Sequence, residues 1–110
     1  MGTVNLGDAS GSCVHKFTLE GTFIRRFGNE TTPEFPSRLS SPRGITVFPD
    51  TQHLLIADSN NDRLVLFDAN GQFQQLIVSG IEYPESLAIN TKGDVFVAMN
   101  DRIGVFNRRQ

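Results

Sequence analysis

The sequence predicts an all-β chain made of repeated four-stranded antiparallel meanders, and three observations carry that prediction. The first is composition. Ala occurs five times, while Phe occurs nine times and Val plus Ile fifteen; β-branched and aromatic residues suit a pleated, half-buried surface. The second is punctuation. Apolar runs are short, and Asn, Asp, Gly or Pro interrupts them every few residues, so no stretch has a convincing helical period. The third is internal repetition. Leu54 to Phe67 aligns with Val4 to Phe17 at an offset of 50, Asp58 falling on Asp8 and Phe67 on Phe17. Pro42 to Val47 aligns with Pro84 to Ile89 at 42, Leu54 to Ala57 with Val95 to Ala98 at 41, and Asp62-Arg63 with Asp101-Arg102 at 39. An offset that drifts in steps is expected of repeats joined by loops of unequal length.

The middle copy divides into four strands, Gly44–Phe48, His53–Ser59, Arg63–Asp68 and Gln72–Val78. Pro49 to Gln52 and Ser59 to Asp62 are the first two turns. Asn70-Gly71 is the third, a hairpin pair in which both residues tolerate positive φ. Leu54-Leu55-Ile56-Ala57 and Leu64-Val65-Leu66-Phe67 are apolar on both faces, as strands covered on two sides must be. The fourth strand carries Gln72, Gln74 and Gln75, and its first-copy counterpart carries Arg25 and Arg26. Polar side chains there mark an outer edge that resists pairing with other chains. Four antiparallel strands per roughly forty residues is the pattern of a propeller blade. Phe17, Phe67 and Phe106 take the same place in three copies and are expected to be buried between blades.

Pro42-Arg43-Gly44-Ile45, then Ile56-Ala57-Asp58-Ser59-Asn60-Asn61-Asp62-Arg63-Leu64-Val65-Leu66-Phe67-Asp68 and Asn70-Gly71, together resemble the NHL repeat. Residues 42–83 carry the pattern in full. Residues 84–110 carry it shortened by two, with Met99 in place of the Asp; residues 3–28 carry its second half, with Cys13 in place of the Arg. The resemblance implies about two and a half blades of an all-β partial β-propeller of four-stranded antiparallel meander blades. Residues 1–110 are then one partial propeller, with incomplete blades at 3–28 and 84–110 around a complete one at 42–83. Rings of this family resemble six-bladed propellers, which ten strands cannot close. The strand edges at Thr3–Ala9 and Arg102–Asn107 are therefore expected to favour self-association.

A net charge of −2 argues against a strongly basic nucleic-acid binder. One cysteine excludes an internal disulfide framework and a multi-cysteine zinc site. The absence of a basic-then-apolar leader or a long apolar run leads to an expectation of a cytoplasmic chain with no membrane partner. Asp58-Ser59-Asn60-Asn61-Asp62 imitates the start of a calcium loop, but Arg63 stands where glycine is wanted and Ala69 where a terminal glutamate is wanted. Cys13 and His15 share one side of a strand, and two ligands do not make a zinc site; neither they nor His53 form a catalytic set. No cofactor, no metal and no catalytic residue is expected.

In a meander, the start of strand one and the end of strand two share a rim, which gathers Arg43, Asn60, Asn61, Arg63, Asn100 and Arg102. Resemblance to the family makes this rim the expected binding face for a protein partner, with RNA as the alternative. Arg63 and Arg102, each after an Asp, also suit a structural role against loop carbonyls and nearby carboxylates. Arg43 corresponds to Glu85 in the next copy, so no repeat-wide role demands a base there. The connection from Gly28 to Ser41, with the sequon Asn29-Glu30-Thr31, is expected on the same rim. The function implied is a non-catalytic recognition module, possessing the kind of propeller that selects targets for tripartite-motif ubiquitin ligases. An RNA-binding propeller and a metal-dependent lyase or lactonase are the rivals.

Overall fold

The computed structural model describes residues 2–29 and 38–107. Ten strands form three antiparallel sheets. The first sheet contains β1 (Thr3–Asp8), β2 (Cys13–Thr18) and β3 (Phe23–Phe27) in that order. The middle sheet contains β4 (Pro42–Val47), β5 (Leu54–Asp58), β6 (Arg63–Phe67) and β7 (Phe73–Ser79), and the third β8 (Ser86–Ile89), β9 (Val95–Ala98) and β10 (Ile103–Phe106). Each sheet is an up-and-down meander, and β4 packs against both β1 and β8. The chain is thus a segment of a β-propeller with the middle blade complete. Gly44 sits where β4 meets the chain before β8. A Cβ there would lie 2.6 Å from the Glu85 carbonyl oxygen, so only glycine permits the approach.

The middle sheet has a core on each side. Leu54, Ile56, Val65 and Phe67 join Val14, Phe27 and Leu39 in one cluster. Leu55, Ala57 and Leu64 join Phe48, Val95 and Val97 in the other. The alternation along β5 and β6 puts successive side chains on opposite faces, and every residue of β5 is buried. The end sheets have one covered face each. Val4, Leu6 and Phe23 of the first and Phe96, Ile103 and Val105 of the third are exposed. Phe67 is fully buried, between Phe27 and Phe73. Phe17 and Phe106 are only half-buried. Phe17 belongs to the uncovered face of its sheet, and Phe106 ends a strand with no fourth strand beside it among the described residues.

The turns explain the drifting offsets. Asp68 to Gln72 is a three-residue hairpin loop: the Gly71 N–H donates to the Asp68 carbonyl and the Asp68 N–H to the Gln72 carbonyl. Gly71 has φ 85°, while Asn70 stays at negative φ. The Asn70-Gly71 pair therefore uses positive φ at Gly71 alone, where the sequence allowed it at both residues; three-residue loops place one glycine in the left-handed region and need no second. Thr18 to Thr22 and Asn90 to Asp94 repeat this geometry. Phe48 to His53 is one residue longer, which takes the offset from 42 to 41. Between β5 and β6, Ser59–Asn61 forms a single 3₁₀ turn; the corresponding turn in the third sheet, from Met99 to Arg102, lacks two residues, which gives 39.

Candidate functional site

One rim of the chain gathers the turns at 8–13, 58–63 and 98–102. Ladder register aligns Pro42 with Asp58 and Asp58 with Arg63, and all six residues expected on the rim lie along it. They do different things. Asp58 is fully buried. Its Oδ1 accepts the Ser40 N–H at 2.6 Å, and its Oδ2 accepts Asn61 Nδ2 at 2.8 Å and Arg63 Nε at 2.7 Å. Arg63 continues to the Arg38 carbonyl at 2.9 Å, and the Asn60 N–H reaches the Ser40 carbonyl. The Asp58–Asn61–Arg63 cluster thus fixes the 38–41 connection onto the middle sheet. It also occupies the oxygens that a calcium loop would need.

Arg102 is two-thirds exposed, with Glu82 at 3.8 Å and Asp101 at 3.5 Å. Asn100 is exposed and uses its backbone N–H on the Glu82 carbonyl. Arg43 is exposed, donates from Nε to Tyr83 Oη at 2.5 Å, and lies over the Tyr83 ring at 5.6 Å. Tyr83 is held in turn: its N–H donates to Asp62 Oδ1 at 2.9 Å, and Pro84 after it is buried. Sequence reasoning missed Tyr83 because it follows the last strand of the middle copy, where none of the aligned strand and turn motifs reaches. Of the Gly28–Ser41 connection, Glu30 to Ser37 lie outside the described residues, and the sequon falls partly on them.

The first sheet departs from the middle one on the same rim. Register pairs Asp8 with Cys13 and Leu6 with His15, so Asp8, Cys13 and His15 share a face. His15 Nε2 is 3.1 Å from Asp8 Oδ2 and 3.5 Å from Cys13 Sγ. Asp8 Oδ1 accepts Ser10 Oγ and the Gly11 N–H. That N–H, then His15, holds the Asp8 carboxyl below the usual carboxylate range. Burial, then the Asp8 carboxylate, pushes the Cys13 thiol up. Sequence reasoning counted two ligand types here. The third was within reach, because Asp8 aligns with Asp58, and Asp58 pairs with the residue that Cys13 replaces.

Residues 39–67, spanning this rim and the two central strands, match the family model described as NHL repeat. The first three strands of the middle sheet carry an NHL repeat. The chain is 31% identical over 107 residues to peptidyl-glycine alpha-amidating monooxygenase A of Xenopus laevis, a match covering 91% of this chain and 11% of that protein. Among solved structures, a catalytically inactive variant of virginiamycin B lyase from Staphylococcus aureus, solved with quinupristin, superposes with a TM-score of 0.72 at 19% identity; the match covers 97% of this chain and 35% of that one. Hydrazine synthase of Kuenenia stuttgartiensis gives 0.73 at 18%, covering 96% and 29%. At such identities the likeness is one of fold. The NHL-bearing chain spans about a third of these structures and about a tenth of the curated relative. Among the described residues, no helix is long and apolar enough to cross a membrane.

Proposed function

We propose that this NHL-type segment is a non-catalytic recognition module that binds a protein partner through the rim around Arg43. The observation that carries this reading is the Arg43–Tyr83 pair. The guanidinium is exposed, and its direction is set by the Tyr83 hydroxyl and ring. Its terminal amino groups make no hydrogen bond among the described residues. A pre-oriented arginine beside a tyrosine supplies donors and an apolar face at little ordering cost, a combination enriched at interface hot spots. The copy-related Glu85 has the opposite charge, so the pair serves this position and not the repeat. Membership of a ubiquitin-ligase parent, with this segment selecting the target, is the finer form of the same reading.

The mixed charge of the rim, with Glu82, Glu85 and Asp101 among the arginines, favours protein over RNA, whose affinity rests on phosphate neutralisation. The 31% identity to an amidating monooxygenase favours one other reading, in which the chain is a portion of an enzyme's propeller. Affinity capture with wild-type and Arg43→Glu chains, with and without ribonuclease, separates the first two. Proteins retained by wild type, lost by the variant and indifferent to ribonuclease support the proposal; a variant that folds and retains the same proteins overturns it. Conversion of a glycine-extended peptide by the full-length parent would favour the enzyme.

A further inference from the structure

The middle and first sheets solve one electrostatic problem in two ways. In the middle sheet the Asp at the end of β5 meets a guanidinium from the start of β6. In the first sheet the corresponding Asp8 meets Cys13 at the arginine's position. Two residues on, His15 stands where the middle copy has Val65. The guanidinium is gone, and two metal-ligating side chains have come in on the same face. One ligand atom from each of Asp8, Cys13 and His15 lies within 4.8 Å of the others.

We propose that Asp8, Cys13 and His15 bind a zinc ion, which takes the place of the missing guanidinium and leaves a fourth position for water. The spacings fit. Around tetrahedral zinc, Zn–S near 2.3 Å and Zn–N near 2.0 Å separate sulfur from nitrogen by about 3.6 Å, and nitrogen from oxygen by about 3.3 Å. The observed separations are 3.5 Å and 3.1 Å. The carboxylate is already oriented: Ser10 Oγ and the Gly11 N–H engage Oδ1, so Oδ2 is the oxygen turned to the site. Outer partners of this kind fix a metal ligand's direction. Phe17 and Phe23 flank the imidazole at 6.4 Å and 6.1 Å between centroids. The charge balances as well. Zinc displaces the thiol proton to solvent, and a dication with one thiolate, one carboxylate and a neutral imidazole is neutral overall, which suits a part-buried position.

The site faces away from the middle sheet, since Val14, the residue between the two β2 ligands, points into the shared core. The ion would therefore stiffen the uncovered face of the first sheet. A mixed sulfur, nitrogen and oxygen donor set suits zinc and its spectroscopic substitute cobalt better than magnesium or calcium.

The test is cobalt(II) titration of the reduced, chelator-treated 110-residue chain, followed by zinc displacement. Cys13 is the only cysteine, so a thiolate-to-cobalt charge-transfer band reports it without any variant. One equivalent of cobalt should give that band with the strong visible absorption of a tetrahedral site, and one equivalent of zinc should remove both. Zinc should raise the melting temperature of wild type by mass action. Cys13→Ser should lose the band. His15→Phe, which keeps an aromatic ring beside Phe17 and Phe23, should weaken zinc binding by at least about 100-fold, the upper end of what loss of an outer partner costs. His53→Ala, outside the cluster, should bind as wild type does. No band and no thermal shift in wild type would overturn the proposal, as would undiminished zinc affinity in His15→Phe.

Discussion

The first and middle sheets share a strand plan and a rim turn, yet one is held from both sides and the other from one. In the middle sheet, β5 and β6 send alternate side chains into two cores, and a buried Asp58–Arg63 pair ties the incoming connection down. In the first sheet, Val14 and Phe27 reach the shared core, while Val4, Leu6 and Phe23 meet solvent. Similar sequence therefore has different energetic weight according to its neighbours. A blade's side chains are selected for a ring, and in this segment only the middle blade has neighbours on both sides.

The phenylalanines at one repeat position give the largest expected difference. Phe67→Ala removes a fully buried ring that packs on Phe27 and Phe73. It should cost about 3–5 kcal/mol, comparable to the whole stability of a marginal domain. Phe17→Ala acts on a half-buried ring whose contacts are Phe23 and His15, and should cost roughly half as much. Urea unfolding followed by circular dichroism compares the two. Equal losses would mean that the face of the first sheet is covered in solution.

The arginines at the start of the third strand come next. Arg63 is 14% exposed and its Asp58 partner is fully buried. Arg63→Met would strand that carboxylate and should cost about 3–5 kcal/mol, loosening the 38–41 connection with it. Arg102 is 64% exposed, and its sheet has Met99 where the Asp would be. Arg102→Met should change stability by no more than about 0.5 kcal/mol. Thermal melts at low and high salt check both; a costly Arg102→Met would show the third sheet relying on Glu82 and Asp101 more than their distances imply.

Much of this was legible in the sequence. The offsets of 42, 41 and 39 located each loop-length change to within a few residues, because a meander's strands keep step while only turns vary. The burial of β5 and β6 on both faces followed from unbroken apolar runs. The rim's chemistry was less legible. Tyr83 follows the last strand of the middle repeat, so its pairing with Arg43 depends on where the chain between β7 and β8 passes. Asp8, Cys13 and His15 converge because register sets Asp8 opposite Cys13, a relation that the alignment of Asp8 with Asp58 carried and that weighing Cys13 and His15 alone left out. Half-burial of Phe17 escaped because a repeat alignment reports what a position does in a full ring.

The smallest effect separates backbone conformation from packing within one turn type. Gly21 and Gly71 close the same three-residue loop in the two sheets, with φ of 95° and 85°. Alanine at either adopts a conformation that disfavours a Cβ, a cost of about 1 kcal/mol that the two share. Their surroundings differ. A Cβ on Gly21 meets nothing within 4 Å, whereas one on Gly71 would lie 2.6 Å from Cδ2 of Phe27, the ring that packs on Phe67. Moving that ring disturbs the core between the sheets, and overpacking of this kind costs about 1–3 kcal/mol. Gly71→Ala should therefore destabilise by more than Gly21→Ala, and the difference between them measures how firmly the first sheet holds Phe27 in place. If the two variants melt together, Phe27 yields to the added methyl at no cost, and the contact between the first and middle sheets is looser than the buried cluster around Val14 and Phe67 implies.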